Sequence, residues 1–112
     1  MLCNTILSQG IYFLFDGDEL VYIGETKNVF KRIGEHIHDN WKVFDSFAIY
    51  PTEYPPYSDG RKYLESFLIK IFQPRYNRNP SKRLYLDIDA PKDITITEAI
   101  QWFDEVFEAK KI

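Results

Sequence analysis

The chain has 112 residues, 45% hydrophobic and 17% aromatic, which suits one compact domain over residues 1–112 and leaves no length for a second. Its formal net charge of -3 excludes nucleic-acid binding by an overall cationic surface, because phosphate affinity is carried mainly by Lys and Arg. The single Cys3 cannot form an internal disulfide, no apolar run approaches the roughly 18 residues needed to cross a bilayer, and the N-terminus lacks a signal-peptide pattern, so a soluble, cytoplasmic protein without membrane contact is expected.

The first predicted element is a hairpin. Residues 10 to 25 read GIYFLFDGDELVYIGE, two β-branched and aromatic runs around a DGD turn signal, with a tyrosine on each strand. Aromatics on a pleated, half-buried surface need no function. After the hairpin, ETKNVFKRIGEHIHD predicts a helix with Thr26 near its cap and Val29, Phe30, Ile33 and Ile37 as its apolar stripe. Arg32 and His36, four apart, fall together along one border of that stripe. Taken alone, each has an ordinary reading, Arg32 as a surface ion pair with Glu35 or Glu25 and His36 as a hydrogen-bonded, partly buried side chain.

KVFDSFAIYPT predicts a third strand that runs into the Pro-rich loop YPTEYPPYSDG. A second helix follows in DGRKYLESFLIKIF, with Ser58 or Asp59 as cap and Pro74 as stop. Tyr63, Leu64, Phe67, Leu68, Ile71 and Phe72 form its broad apolar face, and Glu65 shares a side with Leu68, Ile69 and Phe72. A carboxylate at the edge of a core requires a cationic partner, a metal ion or a wet cleft. Arg32 is the plain partner, and a metal the functional one.

The last third reads as structural. RLYLDID, at residues 83 to 89, alternates like a strand, and TITEAIQWFDEVFEAKK carries a capping box from Thr95 to Glu98 and an apolar series of Ile100, Phe103 and Phe107. This is expected to be a packing helix, with a homodimer or partner surface as the alternative. Charge is unevenly spread: residues 84 to 112 hold seven acids against three lysines, whereas residues 70 to 83 contain Lys70, Arg75, Arg78, Lys82 and Arg83 and no acid. With Lys27 and Lys31, that strip is the candidate phosphate-facing surface.

Gly10-Ile11-Tyr12, Tyr22-Ile23-Gly24, Arg32, His36, Glu65 and Asn77, in that order and spacing, resemble the GIY-YIG nuclease superfamily over residues 9 to 79. The specificity lies in the set: Arg32 follows the second tyrosine by ten, His36 by four more, and Asn77 follows Glu65 by twelve. The resemblance implies an α+β fold, a small three-stranded mixed sheet flanked by helices, to which residues 80–112 add a strand and a helix. It implies a metal-dependent endonuclease acting on nucleic acid, DNA rather than RNA, with one Mg²⁺ or Mn²⁺ held by Glu65. Arg32 would neutralise charge on the phosphoryl oxygens, Tyr12 and Tyr22 would orient the attacking water, and one of them would serve as base. His36 would take or relay the proton, given its ordinary titration between pH 6 and 7. Asn77 would position the metal site through hydrogen bonds. Two departures stand out: Glu25 occupies a position where many members have lysine, with Lys27 as the substitute, and the segment after the core is acidic, so weak or structure-selective binding, or a specificity-providing partner, is expected. Glu25 and the acidic balance motivate the alternative of a non-catalytic nucleic-acid-binding or partner-binding module with a vestigial site.

Overall fold

The computed structural model describes residues 9–39, 42–52, 58–77 and 93–111. Its elements are β1 (Gly10–Asp16), β2 (Glu19–Thr26), α1 (Val29–His38), β3 (Ser46–Pro51), α2 (Ser58–Phe72) and α3 (Ile96–Lys111). Asp16 pairs with Glu19, so Gly17 and Asp18 alone make the hairpin loop, and Gly17 supplies the positive φ of 65° that such a loop requires. The predicted strand at 83–89 lies outside the described residues, as do Arg78, Lys82 and Arg83.

The sheet has the order β2-β1-β3 and is antiparallel throughout. This corrects the expectation of a mixed sheet, and the reason is the path of the chain: α1 carries it back along the sheet, so β2 and β3 flank β1 running in the same direction, both opposed to it. The central position of β1 explains its unbroken apolar run, since Ile11, Tyr12, Phe13 and Leu14 are all buried and alternate between two covered faces. One face carries Ile11, Phe13 and Ile23 against Leu64, Phe67 and Leu68 of α2 and Ala99, Ile100 and Phe103 of α3. The other carries Tyr12, Leu14 and Val21 against Val29 and Ile33 of α1.

A bulge in β2 sets the site. Leu14 pairs with Tyr22 while Phe15 pairs with Leu20, which leaves Val21 as the extra residue. Val21 and Tyr22 consequently both turn toward the α1 face, with Leu20 and Ile23 on the other. A hairpin without the bulge would send one of them to the opposite face.

Two details of α1 differ from the sequence expectation. Its cap is Asn28, whose side-chain oxygen accepts from Lys31 N at 3.2 Å, while Thr26 Oγ1 accepts from Asn28 N one step earlier at 3.0 Å. The buried stripe is Val29, Ile33 and His36; Phe30 and Ile37 are 55% and 65% exposed. The helix is thus rotated about its axis, so that His36 points into the core rather than lying along its border. α2 ends at Phe72 as the Pro74 stop predicts, with Gln73 at φ 46°. The capping box of α3 is formed in both directions, Thr95 N donating to Glu98 Oε1 at 2.8 Å and Glu98 N to Thr95 Oγ1 at 3.1 Å.

Candidate active site

Tyr12, Tyr22 and His36 form one ring cluster on the α1 face, with centroids 6.0, 5.5 and 5.0 Å apart. Tyr12 Oη lies 2.9 Å from His36 Nε2, a bond sealed from water. The remaining ring nitrogen, Nδ1, is buried without a partner. Lys42, which the sequence reading missed, sits 5.0 Å over the Tyr22 ring and pairs with Asp39 at 3.3 Å. Burial, then the nearby charges of Lys42 and Arg32, push His36 down from its ordinary 6.5 to about 4. The expected titration between pH 6 and 7 is therefore corrected: in the free protein His36 is neutral, and Nε2 can accept the Tyr12 proton.

That shift has a sign in stability. An unfolded chain protonates His36 near 6.5 and the fold resists until about 4, so stability is full above 6.5 and is lost as pH falls through that window. His36→Gln, which does not titrate, is expected to flatten the melting temperature between pH 6.5 and 4 relative to wild type. Equal slopes in a thermal-shift series would refute the assignment.

Tyr12 is pushed far above its ordinary value, first by burial and then by Tyr22, with Arg32 opposing. Tyr22 is raised by burial and by the negative field of Glu65, again with Arg32 opposing. Arg32 from α1, its guanidinium half-exposed and 3.3 Å from Glu35, thus acts on both phenols, and Glu65 from α2, half-buried, acts on Tyr22. The Arg32–Glu35 pair is the surface ion pair read from the sequence.

The two glycines of the motif are steric requirements. A Cβ on Gly24 would run into the Tyr12 ring, with Cε1 at 2.6 Å, so the ring occupies the space over that strand position. A Cβ on Gly10 would lie 2.6 Å from the Tyr50 carbonyl oxygen across the β1-β3 pairing.

Asn77 is bonded to the backbone of β2. Its Oδ1 accepts from Ile23 N at 2.8 Å and its Nδ2 donates to Ile23 O at 2.9 Å, while Tyr76 N donates to Val21 O at 3.0 Å. The segment after α2 therefore closes the outer edge of β2, and Asn77 holds the strand between Tyr22 and Gly24 rather than bonding to site side chains. Asn77→Ala leaves both Ile23 groups without partners, at about 1–3 kcal/mol each when buried. We expect a fall of several degrees in melting temperature, which calorimetry would read directly.

The basic strip is in part engaged within the fold. Arg75 reaches back to the hairpin, 3.1 Å from Asp16 and 3.2 Å from Glu19, and stacks over Tyr76 at 5.3 Å. Lys70, Lys27 and Lys31 are exposed. Glu25 is taken up by Arg61, whose Nε donates to Glu25 Oε1 at 2.8 Å from a buried position on α2. Arg61 was overlooked in the sequence, although an arginine at helical spacing from Leu64 and Leu68 on an apolar stripe demands an acidic partner.

Two half-motifs on neighbouring strands, an arginine on one helix that acts on both phenols and a glutamate on another that acts on Tyr22, define a small α+β catalytic domain of the nuclease superfamily. Residues 8–111 match the GIY-YIG catalytic domain, and the chain belongs to that family. It is 34% identical to the UvrABC system protein C of Flavobacterium johnsoniae over 62% of this chain, and spans 13% of that protein's length. Its fold is that of the GIY-YIG N-terminal endonuclease domain of UvrC from Thermotoga maritima, a structure bound to its catalytic divalent cation, magnesium, with a TM-score of 0.54 and 20% identity over 65% of this chain and 86% of that one. A point mutant of the same domain, also bound to its catalytic divalent cation, superposes with a TM-score of 0.55 at 18% identity, covering 67% and 88%. No helix among the described residues is long and apolar enough to cross a membrane.

Proposed function

We propose that this protein is a metal-dependent endonuclease that hydrolyses phosphodiester bonds, with DNA as substrate. The observation that carries this reading is the buried Tyr12–His36 bond, set in a ring cluster with Tyr22 on which both Arg32 and Glu65 act. A phenol bonded to a neutral imidazole, beside an arginine and a carboxylate, exceeds what packing requires.

The donor set suits a hard divalent ion. No group of three or more His, Cys, Asp or Glu side chains gathers among the described residues, so Glu65 would hold the ion with water and phosphate oxygens completing its shell, the manner of Mg²⁺ rather than of a caged metal. An ion bound there supplies positive charge to polarise a phosphoryl oxygen and stabilise the leaving oxygen.

The chain's own groups do the rest. Arg32, half-exposed at the rim, presents a planar guanidinium to the phosphoryl oxygens. Tyr12 and Tyr22 orient the water. One of the two phenols takes a proton from that water, and Tyr12 Oη, 2.9 Å from His36 Nε2, hands a proton on to the imidazole, while the arriving phosphate anion offsets the burial and cationic neighbours that otherwise keep His36 neutral. Glu25, the motive for a non-catalytic module, carries little weight as an obstacle once it is paired with Arg61. The test is a panel of supercoiled plasmid, linear duplex, single strand, branched junction and RNA, each with Mg²⁺ and Mn²⁺. Cleavage of at least one DNA form is the expected result, and a folded, metal-supplied protein inert on all of them would overturn the proposal.

A further inference from the structure

Beside the ring cluster, where β2 gives way to α1, a cleft of about 330 Å³ is lined by Glu25, Thr26, Lys27, Arg32, Arg61 and Lys62. Four cations face one carboxylate. Lys27 and Lys62 are exposed at its rim, and the Arg61 side chain is 4% exposed at its base. Arg61 Nε donates to Glu25 Oε1 at 2.8 Å and Nη1 to Gln9 Oε1 at 3.1 Å, which leaves Nη2 beyond these two anchors. A guanidinium has donors enough for a further anion once two are anchored.

Burying an arginine on the apolar stripe of α2 is costly, and a well-packed hydrophobic side chain with an uncharged partner would serve stability as well. What the pair provides is a cation fixed in direction, at the floor of a concave basic surface. Arg32 belongs to both places: it lines the cleft and acts on the Tyr12 and Tyr22 phenols. A strand with one phosphate at the phenols therefore has this arginine between that phosphate and the cleft.

We infer that the cleft binds a second phosphate group of the nucleic-acid strand, next to the one presented to Tyr12 and Tyr22, with Arg61 as its fixed donor and Lys27 and Lys62 closing over it. The inference rests on the phosphodiester reading above and adds Arg61 and Lys62 to the binding surface. Glu25 tempers the site, holding Arg61 in place while withholding part of its charge. The phosphate is either an internal diester or a terminal monoester, and the monoester carries about -1.5 to -2 at neutral pH.

The test is binding measured by fluorescence anisotropy in EDTA, so that no turnover intrudes. The probes are a labelled 20-base-pair duplex with hydroxyl ends, the same duplex with 5′-phosphates, and a nicked duplex with a 5′-phosphate at the nick. Lys62→Glu, an exposed position, is expected to weaken binding about tenfold, the value of one charge-assisted contact. Its dependence on salt should fall by about 0.9 in log–log slope for the phosphate lost. Glu25→Gln is expected to do the opposite, tightening binding severalfold while lowering the melting temperature, because the one acid among the described lining residues is removed. Opposite signs support the inference, and a preference for the phosphorylated probes assigns the monoester whereas equal affinities assign the diester. Affinities of both folded variants within twofold of wild type, or weaker binding by Glu25→Gln, would overturn it and leave Arg61 a structural ion pair. The two readings separate cleanly: binding with the expected signs but no cleavage in Mg²⁺ would sink the nuclease alone, and cleavage with Lys62→Glu binding unchanged would sink the cleft alone.

Discussion

Glu65→Gln is expected to remove cleavage by roughly a thousandfold or more, since the charge that a divalent ion supplies is worth several kcal/mol in the transition state and each 1.36 kcal/mol is tenfold. Glutamine keeps the shape and the hydrogen-bonding reach of the side chain, so the half-buried edge of α2 stays filled and only the charge is lost. The same substitution should abolish the metal's effect on stability. Under the proposed metal role, Mg²⁺ binding to the folded state alone should raise the melting temperature of the wild type in line with RT ln(1 + [L]/Kd), and the variant should show no such rise. It should also relieve Tyr22, because the carboxylate is one of the two causes that raise its phenol. A variant that cuts within tenfold of wild type, at matched metal concentration, would remove Glu65 from the mechanism.

The second large effect concerns a residue with no chemistry of its own. Gly24→Ala should disable the proposed site by displacing Tyr12. The added methyl would overlap the Tyr12 ring, with Cε1 at 2.6 Å, and that ring is 1% exposed, closed in by Leu14, Val21, Val29 and Ile33. An aromatic ring so enclosed cannot swing aside as a flexible chain end would, so strand or ring must shift, at about 1–3 kcal/mol of overpacking. Any shift also lengthens the 2.9 Å bond from Tyr12 Oη to His36 Nε2. Misplacement of about 1 Å at a reacting centre is worth roughly a hundredfold in rate. Gly34 in α1 is the internal comparison, with no atom within 4 Å of an added Cβ; there alanine should stabilise the helix by up to about 1 kcal/mol. If both glycine variants behave alike in melting and in cleavage, the steric account of the motif fails.

The GIY and YIG half-motifs can be read in this light. Each glycine marks a close approach, Gly10 to the Tyr50 carbonyl and Gly24 to the Tyr12 ring. Tyr12 is paired across the strands with Gly24, and the second tyrosine comes two pairings further along, opposite Leu14. The hairpin thus brings two phenols to one face by making room for the first over a residue with no side chain.

Much of this was set by local chemistry and could be read without a structure. The hairpin follows from two apolar runs around a Gly-containing two-residue loop, the end of α2 from Pro74, and the start of α3 from a reciprocal bond between residues three apart. The candidate set Tyr12, Tyr22, Arg32, His36, Glu65 and Asn77 came instead from its resemblance, in order and spacing, to the GIY-YIG family. What the tertiary structure alone decided are the quantities that depend on which surfaces meet. The rotation of α1 that buries His36 and leaves Phe30 and Ile37 in water was one, because a helical wheel with apolar residues on several sides has no single preferred face until a sheet is laid against it. The bulge at Val21 was another, since one extra residue changes the face of every side chain before it and leaves little trace in composition. Asn77 closing the edge of β2 and Arg61 neutralising Glu25 join residues 54 and 36 positions apart, a span over which spacing carries no geometric information. The depressed affinity of His36 for a proton follows from the same contacts: the residue type sets the ordinary value, and the burial, Lys42 and Arg32 that move it exist only once the chain has folded.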